Sequence, residues 1–284
     1  MSLTVTAATG NLGRLVVQAL LDRGVPPQRI VAAVRSPEKA ADLAERGIEV
    51  READYSRPET LRAAFAGTER LLLVSSSAAG ARTEQHLNVI EAAEDVPHLV
   101  YTSAAYADSV PIAMNAEHAV TEEVIRESGI PFTILRNNWY LENLTGNLGR
   151  ALESGAIVGA AGEGRLSSAS RADYAQAAAV VLTEGDRHLG LTYELAGDRP
   201  FTMLELAAEV SRQSGRDVAY RNLPQAQYAA TLAKFGVPEV FAAMLAERDG
   251  AIARDEFVVR TGELARLIGR PATTFAEAVS AALK

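Results

Sequence analysis

Ala7, Ala8, Thr9, Gly10, Asn11, Leu12 and Gly13 follow a short β-branched stretch at 3–6 and lead into an amphipathic one at 11–23. A turn of small residues between a strand and a helix brings backbone N–H groups up to a phosphate, with the positive end of the helix dipole behind them. Gly10 allows the backbone to approach a pyrophosphate, and Gly13 lets the helix pack against the strand. The spacing is that of G-x-x-G-x-x-G with Ala7 in the first glycine's place. If that position needs a positive φ, a side chain there costs roughly 1 kcal/mol or more. The same glycines could make a plain strand–helix turn in any α/β protein. The placement directly after the first strand favours a dinucleotide loop.

A second candidate stands at the end of the next β-branched stretch, 30–34. NAD-selective sites carry an acidic residue there for the ribose 2′-hydroxyl. Here the chain reads Val34, Arg35, Ser36, Pro37, Glu38, Lys39. The planar guanidinium of Arg35 suits a 2′-phosphate, and Lys39, one helical turn on, adds charge. Charge-assisted bonds of this type contribute about 1.5–3 kcal/mol. These residues point to NADPH, against the alternative of two solvated surface cations. Asp54, after the third strand, stands where an adenine contact is expected.

The elements that must position these groups alternate in type. Strand-like runs at 3–6, 30–34, 49–51, 71–74, 99–102 and 132–135 are separated by helical patterns at 11–23, 37–46, 59–65, 83–93 and 117–128. Ser36 reads as an N-cap and Pro37 as a first helical residue. The alternation predicts an α/β fold, a Rossmann-type parallel sheet with helices on both faces. After Arg136 the rhythm changes. A polar, aromatic stretch at 137–140 precedes a helix over 142–153 and a glycine-rich loop over 155–165. Helices near 171–183, 203–213, 225–235, 240–247, 263–268 and 275–283 follow, with short strands at 191–195 and 218–221. The expected division is a dinucleotide-binding domain over 1–154 and a smaller, mainly helical C-terminal lobe over 155–284, with chain exchange between the two allowed for.

Composition removes other chemistries. The 284 residues include no cysteine, so disulfides, thiolate nucleophiles and cysteine-held zinc are excluded. A net charge of −8 without a Lys/Arg block argues against nucleic acid as a partner. The longest apolar runs, 71–74 and 175–182, are too short for a bilayer. No basic region, apolar core and cleavage site open the sequence, so a cytoplasmic location is expected. His86, His98 and His188 lack metal-ligand spacing and read as structural; no metal is expected. Ser75, Ser76 and Ser77 lack the G-x-S-x-G elbow that acyl transfer needs. Glu122 and Glu123 read as a solvated helix face. Oligomeric state is left open.

The motifs taken in order resemble a known family. They are Thr6 to Gly13, Val34 to Lys39, Ala53-Asp54-Tyr55, Leu71 to Ser77, Tyr101-Thr102-Ser103, Leu135 to Asn143, Gly159 to Gly164, Ser170 to Tyr174 and Tyr193 to Asp198. The chain is similar to the NmrA-like atypical short-chain dehydrogenases/reductases, and within them to the bacterial type 2 NADPH:quinone oxidoreductases. The resemblance implies that Ala7 and Thr9 to Gly13 hold the cofactor phosphates and Arg35 its 2′-phosphate. It implies that Ser75, Ser76 and Ser77, with Thr102, line the ribose side. Trp139, Tyr140, Asn143 and Leu144 would flank the nicotinamide, with Ser170 nearby.

The implied activity is hydride transfer from NADPH to a quinone or quinone-like aromatic substrate, without flavin or metal. Most short-chain dehydrogenases protonate an alkoxide with a Tyr activated by a Lys four residues on. Here Tyr101 is followed by Ala105 and Tyr106 by Val110. A quinone is a gentler acceptor, since its reduced anion is aromatic and takes a proton from water. His118, expected to open its helix, resembles the Lys position of the related benzylic ether reductases. It reads either as an oxyanion partner titrating near the ordinary histidine pKa of about 6.5 or as a surface histidine. Two alternatives to the quinone reductase stand beside it. One is a nucleotide-sensing, non-catalytic regulator; the other is a biosynthetic reductase of aromatic polyketides or benzylic ethers.

Overall fold

In the computed structural model, residues 2–78 and 80–284 are described. The chain runs through β1 (Ser2–Thr6), α1 (Asn11–Asp22), β2 (Ile30–Val34), α2 (Ala41–Glu45) and β3 (Glu49–Glu52). It continues through α3 (Pro58–Ala64), β4 (Thr68–Leu73), α4 (Arg82–Ala92), β5 (Leu99–Ala104), α5 (Ala113–Glu127) and β6 (Phe132–Asn137). Then come α6 (Leu141–Thr145), α7 (Leu148–Ser154), β7 (Ala156–Gly159), β8 (Arg165–Leu166), α8 (Arg171–Glu184) and β9 (Thr192–Leu195). The last elements are β10 (Phe201–Thr202), α9 (Met203–Ser214), β11 (Ala219–Asn222), α10 (Gln225–Lys234), α11 (Glu239–Ala253), α12 (Glu263–Ile268) and α13 (Phe275–Ala282).

Among the described residues the strands form a seven-stranded sheet in the order β3-β2-β1-β4-β5-β6-β9. The pairs from β3 through β6 are all parallel. The expected Rossmann-type sheet is therefore present, and strand order reverses between β1 and β4, the position at which such sheets bind ligands. Parallel strands covered on both faces must be apolar throughout, and β2, Ile-Val-Ala-Ala-Val, is buried at every residue. No helix of the described residues is long and apolar enough to cross a membrane.

The chain forms two compact units, but not by a single cut at 154/155. Unit 1 comprises Met1–Ala104, Glu117–Asn137 and Arg171–Tyr193; unit 2 comprises Ala105–Ala116, Asn138–Ser170 and Glu194–Lys284. The physical reason is α8. Asp173, Tyr174, Ala175 and the run from Ala177 to Leu182 are buried on it, and it packs beside α1 in unit 1. The core of unit 1 gathers Leu61, Phe65, Leu71, Leu73, Leu99, Tyr101 and Ile134 under the sheet. Unit 2 has its own core, around Leu141, Leu148, Leu166, Phe201, Leu206 and Ile252.

Several boundaries differ from expectation. The helix expected over 37–46 is a 3₁₀ turn, Pro37–Ala40, followed by the single short helix α2. Ser36 provides no side-chain cap. The helix expected over 142–153 is broken into α6 and α7 around Gly146, where a Cβ would lie 2.8 Å from the Glu142 carbonyl oxygen. The glycine-rich stretch 155–165 contains β7, which pairs with β11.

Glu122 also departs from expectation. Only Glu123 is solvated; Glu122 is fully buried. Its Oε1 accepts from Ser103 Oγ at 2.6 Å and Arg136 Nε at 2.8 Å, and its Oε2 from Arg136 at 2.6 Å and Arg126 at 2.8 Å. This two-pronged ion pair ties α5 to β5 and β6. Removing one partner of a buried pair strands the other's charge, at a cost of about 3–5 kcal/mol. Glu122→Gln is expected to lower the unfolding free energy in urea by roughly 3 kcal/mol; a loss below about 1 kcal/mol would contradict this role.

Candidate active site

β1 ends at Thr6 and the chain turns at once. Ala7 has φ 46°, the left-handed region that a Cβ disfavours. The turn is held by Gly10 N–H donating to the Ala7 carbonyl at 2.8 Å. A Cβ on Gly13 would lie 2.3 Å from that same carbonyl oxygen, and one on Gly10 would lie 3.1 Å from it. Gly13 is thus required by close packing, as its place in the motif predicts. Helix α1 then starts with no side-chain cap and no acidic residue in its first turn. Among the described residues, no side chain caps its leading N–H groups.

At the end of β2, Arg35 is exposed and makes no hydrogen bond or ion pair among the described residues. Lys39 is exposed one turn on, and Arg14 of α1 pairs with Asp42 and donates to the Lys39 carbonyl at 3.4 Å. Asp54 lies at the end of β3, where its Oδ1 accepts the Ser56 N–H at 2.9 Å and shapes the turn into α3. The hydroxyl of its neighbour Tyr55 meets Thr6 Oγ1 and the Val74 carbonyl, joining the ends of β1 and β4.

The segment after β4 is held from behind. Ser75 N–H donates to Thr102 Oγ1 at 2.9 Å and Ser76 N–H to His86 Nε2 at 2.9 Å. Arg82 Nε donates to the Ser76 carbonyl at 2.7 Å, and its NH1 pairs with Glu117 at 2.8 Å. Ser77 is exposed. Arg82 and Gln85, whose side chain bonds Ser76 Oγ, carry no motif signal; only their spacing on one face of α4 hints at this role.

His118 does not open its helix. α5 begins a turn earlier, at Ala113, and the imidazole is 5% exposed. Its Nδ1 stands 2.6 Å from the Tyr101 hydroxyl. Burial, then the nearby charges of Arg82 and His86, hold its pKa well below the ordinary value. The expected titration near 6.5 is therefore corrected: this imidazole is neutral at working pH. His86 is driven down to about 3 and His98 to about 4, each mainly by burial.

In unit 2 the aromatic block is built into the core. Asn138 Oδ1 accepts the Trp139 N–H at 2.7 Å, and its Nδ2 donates to the Phe257 carbonyl at 2.9 Å. Tyr140 bridges to Ala169, and Leu141 N–H donates to the Ala169 carbonyl at 2.9 Å, which brings Ser170 beside Tyr140. Asn143 N–H closes the turn onto the Tyr140 carbonyl at 3.0 Å, and Leu144 packs in the same core as Trp139. Arg248, unmarked in the sequence, stacks its guanidinium 4.2 Å above the Trp139 ring.

Residues 7–185 match the NAD(P)H-binding family. The chain belongs to that family. It is 47% identical to quinone oxidoreductase 2 of Escherichia coli over 280 residues, 98% of this chain and 97% of that one. The crystal structure of the Escherichia coli NADPH-dependent quinone oxidoreductase complexed with NADPH superposes with a TM-score of 0.96 at 46% identity, covering 99% of this chain and all of that one. Citrobacter triphenylmethane reductase complexed with NADP(H) follows at a TM-score of 0.93 and 41% identity, covering 99% of this chain and 100% of that one. The resemblance read from the motifs is borne out.

Two outcomes follow from this geometry. Relieving a left-handed Ala gains about 1–2 kcal/mol, while the looser unfolded chain of a glycine variant loses about 0.4–1 kcal/mol. Ala7→Gly is therefore expected to raise the urea-unfolding free energy by roughly 0.5–1 kcal/mol; a loss of stability would rule out the strain. The buried histidines set an acid limit. Their folded pKa values lie below the unfolded value, so the stability held above about pH 6.5 is lost as pH falls and the unfolded chain takes up protons first. His86, His98 and His118 together give a slope of about 4 kcal/mol per pH unit near pH 5. Thermal midpoints measured from about pH 7 down to about pH 5 should drop steeply; a flat series would contradict the burial of these rings.

Proposed function

We propose that the protein reduces quinones with NADPH, without flavin or metal, in the cytoplasm. The observation that carries the choice of NADPH over NADH is the unpaired, exposed Arg35 at the end of β2, where an acidic residue would select NADH. The residues present fit this cofactor. The uncapped start of α1 and the close turn at Gly10 and Gly13 suit its pyrophosphate, with Thr9, Asn11 and Leu12 in the same turn. Arg35 and Lys39 suit the 2′-phosphate. Ser75 to Ser77 and Thr102 are assigned to the ribose side, and Trp139, Tyr140, Asn143, Leu144 and Ser170 to the nicotinamide end.

NADPH supplies the hydride, and the quinone takes both electrons and becomes a hydroquinone anion, whose proton comes from water. His118 is assigned to the acceptor side. It stabilises the forming oxyanion by hydrogen bonding as a neutral imidazole rather than by giving up a proton. The Escherichia coli relative supports this acceptor class.

The test is spectrophotometric oxidation of NADPH against a panel of quinones. Turnover with quinones, and a preference for NADPH over NADH, are expected. Loss of one charge-assisted contact of about 1.5–3 kcal/mol predicts that Arg35→Ala raises KM for NADPH roughly 10- to 150-fold and leaves NADH nearly unchanged. An equal effect on both cofactors would overturn the 2′-phosphate assignment. Failure with every quinone would overturn the acceptor class.

A further inference from the structure

Three side chains lie behind His118: His86 and Thr121, which form a directed run of hydrogen bonds from a fixed end, and Tyr101, which stands between that run and His118. The backbone N–H of Ser76 can only donate, so His86 Nε2, 2.9 Å away, is an acceptor. A neutral imidazole that accepts at Nε2 carries its proton on Nδ1. Burial and Arg82 keep His86 neutral. Its Nδ1–H points at Thr121 Oγ1, 3.0 Å away, and Thr121 donates its own proton to the Glu117 carbonyl at 2.9 Å. The Tyr101 hydroxyl lies 3.5 Å from the same protonated Nδ1, which cannot accept from it. It lies 2.6 Å from His118 Nδ1, which can. Thr121 and Ser103 also reach the Tyr101 hydroxyl. Thr121 Oγ1 already faces the His86 Nδ1–H, however, and Ser103 Oγ is engaged with Glu122. His118 Nδ1, the closest partner, is therefore assigned the Tyr101 proton, and the His118 proton is placed on Nε2.

We propose that Tyr101 and His86 are positioning residues that fix His118 as the neutral Nε2–H tautomer, so that it meets the acceptor oxygen as a hydrogen-bond donor. The inference rests on the reading of His118 as an acceptor-side residue; the tautomer itself does not. The charged and titratable groups around His118 and Tyr101 are Arg82 and His86 from α4, Tyr101 from β5, Glu117, which pairs with Arg82, and the buried Glu122 of α5, which acts on Tyr101 and is itself paired with Arg136 and Arg126. The net effect is to disfavour imidazolium. Full proton transfer from Nε2 would require Tyr101 to follow with its own proton and leave a buried tyrosinate, and burial pushes the Tyr101 pKa up. Donation without transfer is what remains, and the proton that completes the hydroquinone comes from solvent. The Ser76 backbone thus sets the His86 tautomer, and through it denies the Tyr101 hydroxyl an acceptor on His86.

The histidine ¹⁵N–¹H correlation spectrum tests this directly. The chain has four histidines, and His118→Gln identifies the signal by its loss. Wild-type His118 is expected as the Nε2–H tautomer, unchanged from about pH 8 to about pH 5.5. His86 is expected as Nδ1–H. Tyr101→Phe should turn the His118 signal into a tautomer mixture and lower turnover roughly three- to tenfold, the worth of one hydrogen bond, with KM for NADPH unchanged. An Nδ1–H or imidazolium signal for wild-type His118 would overturn the proposal. So would a Tyr101→Phe spectrum identical to wild type. Spectra as expected with full quinone turnover in both Tyr101→Phe and His118→Gln would leave the tautomer standing and remove His118 from the acceptor side.

Discussion

The close approach of α1 to the end of β1 is the constraint on which the site depends. It reduces to one contact: Gly13 sits where any Cβ would penetrate the Ala7 carbonyl. Because the helix is drawn in this far, its first N–H groups open directly onto the turn. The carbonyl that excludes a side chain at Gly13 also accepts the Gly10 N–H. Ala7 must then take a left-handed φ to aim it. Strain at Ala7, absence of a side chain at Gly13 and a bare helix terminus are three consequences of a single geometry. A terminus left without a cap costs stability in isolation, and such a cost is tolerated where an anion fills the place.

The surrounding layer shows how polar groups are used when they are taken out of water. Glu122 is matched on both oxygens by Ser103, Arg126 and Arg136. His86 and Thr121 are matched against a backbone donor and a backbone acceptor. Buried groups paired this way contribute modestly to net stability but heavily to uniqueness, since any rearrangement leaves one of them unmatched. β5 carries Tyr101 and Ser103 into both networks, and α5 carries His118 and Glu122 into the same two. The register between β5 and α5 is thereby set by polar groups, while the apolar core of unit 1 supplies the bulk of the burial.

The sheet was legible from sequence because period and burial agree: β2 is an apolar run throughout, and β4 ends in one, Leu71 to Leu73. The close glycine turn was legible because its packing is local. What escaped was long-range. Nothing in the sequence places α8 beside α1, since a helix apolar on most of its circumference does not say what it packs against. Glu122 resembles any exposed helical glutamate until β6 brings Arg136 to it across 14 positions of sequence. His118 lies a turn inside its helix because α5 starts at Ala113, whose N–H donates to the distant Glu247 at 2.9 Å, a partner no local pattern announces. Arg248 reaches Trp139 from α11, which runs past the end expected for it through Ala253.

The missing Tyr-x-x-x-Lys pair gains a structural meaning from Tyr101. The chain does have a tyrosine on β5, but it is wholly buried and its hydroxyl is turned toward His118 Nδ1. Its pKa is raised by burial, whereas a tyrosine that acts as an acid needs a neighbouring cation to bring its pKa down. The cation closest to this network, Arg82, is already engaged with Glu117 and the Ser76 carbonyl. A site so arranged can offer a fixed donor but not a labile proton. An alkoxide, which must be protonated as it forms, is a poor product for it. An oxyanion stabilised by its own aromatic ring needs only the donor, and the class of acceptor follows from that difference.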